Sequence, residues 1–307
     1  MYNTPMFRFV LLLSSCLGLF ATAQAVVPVD MDTAAHLYQD AAIREQVRAA
    51  LGSMPAHIRK LFQGNTSTPL SDKQLDAVNQ AAVRSFRIDV FEAPALNAFA
   101  AHLDADTVKK AEAFLASDAG KRMVAADLGL ASLSDADADK VMNGDIAAAS
   151  TAQRSVLFEK LERAERSSES TVQILLTMGT AVALGTAVGS GMDPGPVEER
   201  ARKSGESSRQ AMEENMREPM RRYMAYGYRD LSDADLKHVL SFLQSTAGRQ
   251  YISAYLASLG AGFYAMGRRC GEQLGESLRE LAMAQLATEH AQREPPAATP
   301  APVKPHQ

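Results

Sequence analysis

Two stretches of this 307-residue chain share one pattern, and together they decide the fold. They are LDADTVKKAEAFLASDAGKRMVAADL, residues 103–128, and LSDADLKHVLSFLQSTAGRQYISAYL, residues 231–256. They align without a gap at a constant offset of 128, and 9 of the 26 aligned positions are identical. An internal repeat of this kind predicts two copies of one structural unit.

Each stretch has the pattern of a helix, a tight corner and a second helix. Apolar residues recur at spacings of three and four, which is the spacing of one helix face. A serine then stands where an N-cap is expected, and a glycine follows in the first turn, where a missing side chain allows close packing. The residues predicted to form the two corners are Phe114, Ser117, Gly120, Phe242, Ser245 and Gly248.

The composition favours helices throughout the chain. Good helix formers dominate, aromatic residues make up only 6%, and tryptophan is absent. We therefore predict an all-α fold in which tandem duplicated helical units form a bundle or array with disordered termini. The expected divisions are a signal peptide (1–25), a first helical unit (30–145), a second helical unit (150–260), a C-terminal packing helix (261–290) and a Pro-rich disordered tail (291–307).

The N-terminus predicts export to the periplasm. Arg8 precedes an apolar run over residues 9–20, and small residues at 21–25 form two overlapping A-x-A cleavage sites. Cleavage after Ala25 removes only Arg8 from the charged residues, so the formal charge changes from −4 to −5. A lipid anchor on Cys16 is the alternative, because Leu13-Ser14-Ser15-Cys16 resembles a lipoprotein box.

No pattern in the sequence indicates catalysis. The six histidines lack metal-ligand spacing, and G-x-S-x-G elbows and phosphate loops are absent, so we expect no catalytic residues, cofactor or metal. The acidic balance predicts no nucleic-acid partner. Cys270 is expected to be a buried small hydrophobe, with a reactive thiol as the alternative. A hydrolase with a spatially assembled site is a further alternative, which sequence alone cannot test.

Residues 171–192 form an uncharged run that is long enough to span a bilayer. Gln173 and several Thr, Gly and Ser residues dilute its hydrophobicity, so we predict a buried packing helix. Insertion into a membrane, or contact with its surface, is the alternative. It would make the protein a membrane-associated envelope factor.

The corners resemble a bacterial family of exported proteins, domain of unknown function 2059. In that family a helix ending in an aromatic residue leads into a Ser-Pro-x-Gly-[KR]-like turn, and residues 114–121 and 242–249 match this motif in two divergent copies. Asp118 and Thr246 stand where the family often has proline. The resemblance implies an exported helical protein without an established activity. We expect a non-enzymatic module that binds an unidentified envelope protein or peptide.

The corner glycines provide a first test. Replacing Gly120 or Gly248 with Leu would overpack the turn, so we expect each variant to lose about 1–3 kcal/mol of unfolding free energy. Thermal unfolding measures this loss. An unchanged melting temperature in both variants would contradict the predicted corner.

Overall fold

A computed structural model of the chain describes residues 29–64, 70–148 and 150–293. The predicted signal peptide, Cys16 and residues 294–307 of the predicted tail lie outside these ranges. The all-α fold class is confirmed, since the described residues form thirteen helices and no strand. The helices are α1 Met31–Asp40, α2 Ile43–Leu51, α3 Met54–Gly64, α4 Asp72–Ser85, α5 Ile88–Ala101, α6 Ala105–Ala116, α7 Asp118–Ala131, α8 Asp135–Asn143, α9 Ala152–Glu165, α10 Ser167–Gly189, α11 Gly195–Gly227, α12 Asp233–Gln244 and α13 Thr246–Arg293.

Short polar side chains start many of these helices. In each case the side-chain oxygen accepts a hydrogen bond from a backbone N–H of the first turn, which has no partner within the helix. At α4 and α12 the third helical residue also reaches back to the N-cap backbone and completes a capping box. The capping residues are Asp30, Ser71, Asp104, Ser117, Ser134, Thr151, Ser232 and Ser245.

Helix α13 is the longest helix of the described residues, and five other helices pack against it. Its 48 residues extend over about 72 Å at the usual rise of an α-helix. Helices α4, α5, α6, α10 and α12 all contact it. It starts at the second corner and continues without a break through residues 261–290, so that segment is an extension of the corner helix. Gly260 is helical and does not interrupt it.

Helices α10 and α13 touch backbone to backbone. Glycines spaced four apart, at 185 and 189 on α10 and at 267, 271 and 275 on α13, face one another across the contact. A Cβ built on Gly185 would lie 2.9 Å from the Cα of Gly271, and one on Gly271 would overlap the carbonyl oxygen of Val182. The two helices can therefore be this close only because these positions lack side chains.

One large hydrophobic core joins the two predicted units. It contains residues from Ala34 in α1 to Leu274 in α13, including the fully buried Phe91, Phe99 and Phe263. A smaller cluster lies between α7, α8 and α11. The boundaries of the predicted units stay predictions, but their buried side chains belong to a common interior.

The glycine contact can be tested with a matched pair on one helix. Gly271→Ala would force α10 and α13 apart, so we expect a loss of about 1–3 kcal/mol of unfolding free energy. Gly260→Ala adds a methyl group where no atom lies within 4 Å. This control should gain up to about 1 kcal/mol from helix propensity. Thermal unfolding separates the two, and equal effects would contradict the contact.

Candidate functional site

Both predicted corners have the same local geometry. The Oγ of Ser117 accepts a hydrogen bond from the backbone N–H of Gly120 at 3.1 Å, and Ser245 does the same for Gly248 at 2.9 Å. A Cβ on Gly120 would lie 2.8 Å from the Cα of Leu115, which is too close for any other residue. Serine caps the second helix, and glycine lets it start against the end of the first.

The two corners lie against each other. The rings of Phe114 and Phe242 stack with centroids 4.2 Å apart and an interplanar angle of 6°. Beside them Arg122 donates to both carboxylate oxygens of Asp235, at 2.6 and 3.1 Å. The stacked rings join α6 to α12, and the bidentate ion pair joins α7 to α12. The six corner residues thus form a structural contact.

A half-open pocket of about 90 Å³, here called the chamber, lies next to the stacked corners. Positions related by the 128-residue offset line it in pairs: Leu115 with Leu243, Met123 with Tyr251, Val124 with Ile252 and Asp127 with Tyr255. The remaining wall comes from α9 to α11 and the segment after α11, together with Ala41, Gln46, Leu130 and Phe242. Equivalent positions of the two stretches therefore supply part of the chamber wall. The paired side chains are both apolar at two of the four pairs and differ in polarity at the other two, Met123 with Tyr251 and Asp127 with Tyr255.

Two carboxylates, from different helices, line the chamber. Asp127 on α7 accepts a hydrogen bond from the hydroxyl of Tyr228 at 2.9 Å. Glu165 at the end of α9 accepts one from the Oγ of Ser167 at 3.2 Å. Both side chains are partly buried, and burial raises the pKa of Asp127 to about 7. Burial, and then the charge of Asp127, raises the pKa of Glu165 to about 8.

Tyrosines supply much of the remaining polar wall. The hydroxyl of Tyr223 donates to the carbonyl oxygen of Leu130 at 3.1 Å, and that of Tyr255 donates to Oε1 of Gln46 at 3.3 Å. Tyr251, which also lines the chamber, is buried. Burial and the nearby charge of Asp127 raise the pKa of Tyr251. Four tyrosines thus contribute to the chamber wall.

Sequence reasoning did not find the chamber acids. A signal for Asp127 was present, because it follows Met123 by four residues and precedes Leu130 by three, inside the apolar stripe of α7. Acidic residues are rare on the buried face of a helix unless a partner pairs with them, so an acid in this stripe indicates a special environment. Glu165 carried no such signal, since it lies in a charged stretch at a helix end.

Other predicted features lie away from the chamber. Cys270 is 2% exposed on α13, and burial raises the pKa of its thiol to about 12, which keeps it protonated. Within the described ranges no group of His, Cys, Asp and Glu side chains could hold a metal ion. Helix α10 contains most of the uncharged run, and half of its most apolar window is buried.

Comparison with known families concerns the segment that contains the first corner. Residues 89–144 match a family described as "Uncharacterized protein conserved in bacteria (DUF2059)". The resemblance to domain of unknown function 2059 is confirmed over this segment. The match includes Phe114, Ser117 and Gly120, and also the chamber acid Asp127. A second copy around residues 242–249 stays a prediction. No curated protein and no solved structure matches the chain.

The chamber acids predict a pH dependence of stability. Their pKa values, about 7 and about 8 in the folded chain, exceed the ordinary values of 3.8 and 4.5. Between about pH 4 and pH 8 the unfolded chain therefore binds fewer protons than the folded chain, and stability falls as pH rises. We expect a higher melting temperature at pH 5 than at pH 8.

Neutral isosteres of the two acids supply the comparison. Asp127→Asn and Glu165→Gln should each reduce the difference between pH 5 and pH 8, because each removes one titrating group. Asp230→Asn, at a carboxylate that is 84% exposed, should keep the wild-type difference. A wild-type melting temperature that is equal at both pH values, or higher at pH 8, would contradict the raised pKa values of Asp127 and Glu165.

Proposed function

We propose that this chain is an exported, non-enzymatic binding module of the bacterial cell envelope, and that the chamber holds a small ligand. The observation that carries the proposal is the pair of partly buried acids, Asp127 and Glu165, on the wall of one pocket. Buried acids cost stability, and such groups concentrate at binding and reaction sites. Support for export comes from the apolar run and A-x-A sites of residues 9–25.

Binding is favoured over hydrolysis by the surroundings of the acids. Carboxylic acids with raised pKa values can serve as general acids, so Asp127 or Glu165 could supply that group to a hydrolase. A hydrolase that forms a covalent intermediate would also need a nucleophile that its substrate can reach. The serine hydroxyl that contacts one of them is that of Ser167, which donates a hydrogen bond to Glu165 at 3.2 Å. Ser167 is only 1% exposed, so a substrate cannot reach it as a nucleophile.

The membrane-associated alternative rests on α10. This helix is long and apolar enough, by length and composition, to cross a membrane. Val188 and Met192 near its end are 43% and 56% exposed. Its glycine contact with α13 would have to open before α10 could insert on its own, and this favours the interior role.

Cell fractionation tests the location. The protein at native expression level should be released with the periplasmic extract and be missing from carbonate-washed membranes. Retention in washed membranes would favour α10, or a lipid on Cys16, as an anchor. A protein found only in the cytoplasm would contradict export.

Occupancy of the chamber tests the binding role. Native mass spectrometry of the protein from periplasmic extract should detect a small molecule that denaturation releases. Val124→Phe places a ring at the chamber wall and should abolish the added mass. Val83→Phe, at a position that is 52% exposed on α4, makes the same change elsewhere and should leave it. A wild-type protein whose native mass equals the mass calculated from its sequence would contradict a chamber ligand.

A further inference from the structure

The last part of α13 extends beyond its contact with α10. Helix α10 ends at Gly189, and the hydroxyl of Ser190 then donates to the carbonyl oxygen of Gly275 at 3.4 Å. From Arg279 to Arg293, a stretch here called the exposed segment, α13 continues for about 21 Å. All side chains of residues 282–288 are exposed. Most of the exposed segment therefore lacks the packing that stabilises helices in folded proteins.

The apolar side chains of the exposed segment do not continue the core face of α13. The last members of the core face are Leu278 and Leu281, which are partly buried against the core. Gln285 and Thr288 follow at the same helical spacing, and both are polar and exposed. Leu286, which is 53% exposed, lies on another face of the helix. That second face has no partner among the described residues 282–288.

The second face has the spacing of a coiled-coil seam. Arg279, Ala282, Leu286, Glu289 and Arg293 follow one another at alternating steps of three and four residues. This heptad spacing is the one with which two helices pack along their whole length. A small and a large apolar residue lie at the centre of the seam, and charged residues lie on both sides of them. Small and large side chains at facing positions interdigitate.

The seam is complementary to a second copy of itself. In an antiparallel pair with its two-fold axis at Ala284, Arg279 lies opposite Glu289 of the second copy, and Ala282 lies opposite Leu286. Each contact then occurs twice by symmetry. A parallel pair would instead place Arg279 opposite Arg279 and Glu289 opposite Glu289, and like charges across an interface repel.

The same charges cannot satisfy each other within one chain. Arg279 and Glu289 are about 15 Å apart along the helix axis, which is too far for an ion pair. The only hydrogen bond that Glu289 accepts among the described residues comes from Gln285 of the same helix, at 3.3 Å. The charge pattern therefore selects a second helix, and the antiparallel copy supplies the opposite charge at both positions.

We propose that two copies of this chain associate through the exposed segments of α13, packed antiparallel around Ala284. The charges that select a second copy lie on the same face as the exposed Leu286. Two apolar layers and two ion pairs make a small interface, so the dimer is weak, with a Kd of about 1–100 µM. This inference goes beyond the proposed function and does not involve the chamber.

Sedimentation equilibrium of the purified protein tests the association. Between about 1 and 200 µM the average mass should rise from that of one chain towards that of two. Leu286→Glu places a charge at the centre of the seam and should weaken the dimer at least about tenfold. Val83→Glu makes the same change at a position that is 52% exposed on α4 and should keep the wild-type affinity. The mass of one chain at all concentrations, or equal weakening by both variants, overturns the inference.

Exchange of the two charges tests the antiparallel register. Arg279→Glu and Glu289→Arg should each weaken the dimer about tenfold, because each places like charges opposite each other. The double variant restores both ion pairs with their charges reversed and should return to within about threefold of the wild-type affinity. Glu280→Arg, one position away from the seam, should dimerise like the wild type. Wild-type affinity in both single variants, or no recovery in the double variant, overturns the register.

Thermal unfolding distinguishes a second copy from a segment of the same chain. At concentrations well below the Kd, Leu286→Glu should melt at the wild-type temperature, because its side chain is exposed in the single chain. A lower melting temperature, in a protein that keeps the mass of one chain, would show that residues 294–307 or another part of the chain cover the seam. That result overturns the proposed dimer.

Discussion

The backbone contact between α10 and α13 is the constraint on which the remaining packing depends. Helices that carry side chains at their interface usually lie 8–10 Å apart, and glycines at every fourth residue allow a closer approach. Gly185 and Gly189 on one helix and Gly267, Gly271 and Gly275 on the other occupy this contact along several turns. With α10 on one side of α13, helices α4 and α5 pack on the same long helix. The position of α13 therefore determines where both corners can lie.

The chamber follows from how the corners meet. The stacked rings of Phe114 and Phe242 join the end of α6 to the end of α12, and the positions that follow the two corners line one pocket. Apolar residues at all of these positions would fill that space as an ordinary core. Asp127 and Tyr251 stand there instead, so the space keeps polar walls. The polar character of the pocket is thus a consequence of Asp127 and Tyr251 at these positions.

The sequence predicted local structure better than long-range contacts. Ser117 and Gly120 were identified as a corner because a cap and a close approach are signalled within a few residues. The four-residue spacing of the glycines in α10 was visible, but its partner on α13, 80 or more residues away, was not. The chamber combines residues from α7, α9 and α13, and periodicity does not indicate which helices meet.

The matched family segment cannot form the chamber by itself. Residues 89–144 supply Asp127 but end before Glu165 and Tyr251, which belong to α9 and α13. In a chain with this segment alone the acid would be more exposed to water, and its pKa would return towards the ordinary range. The later helices therefore partly bury a carboxylate that the matched segment by itself would leave at the surface.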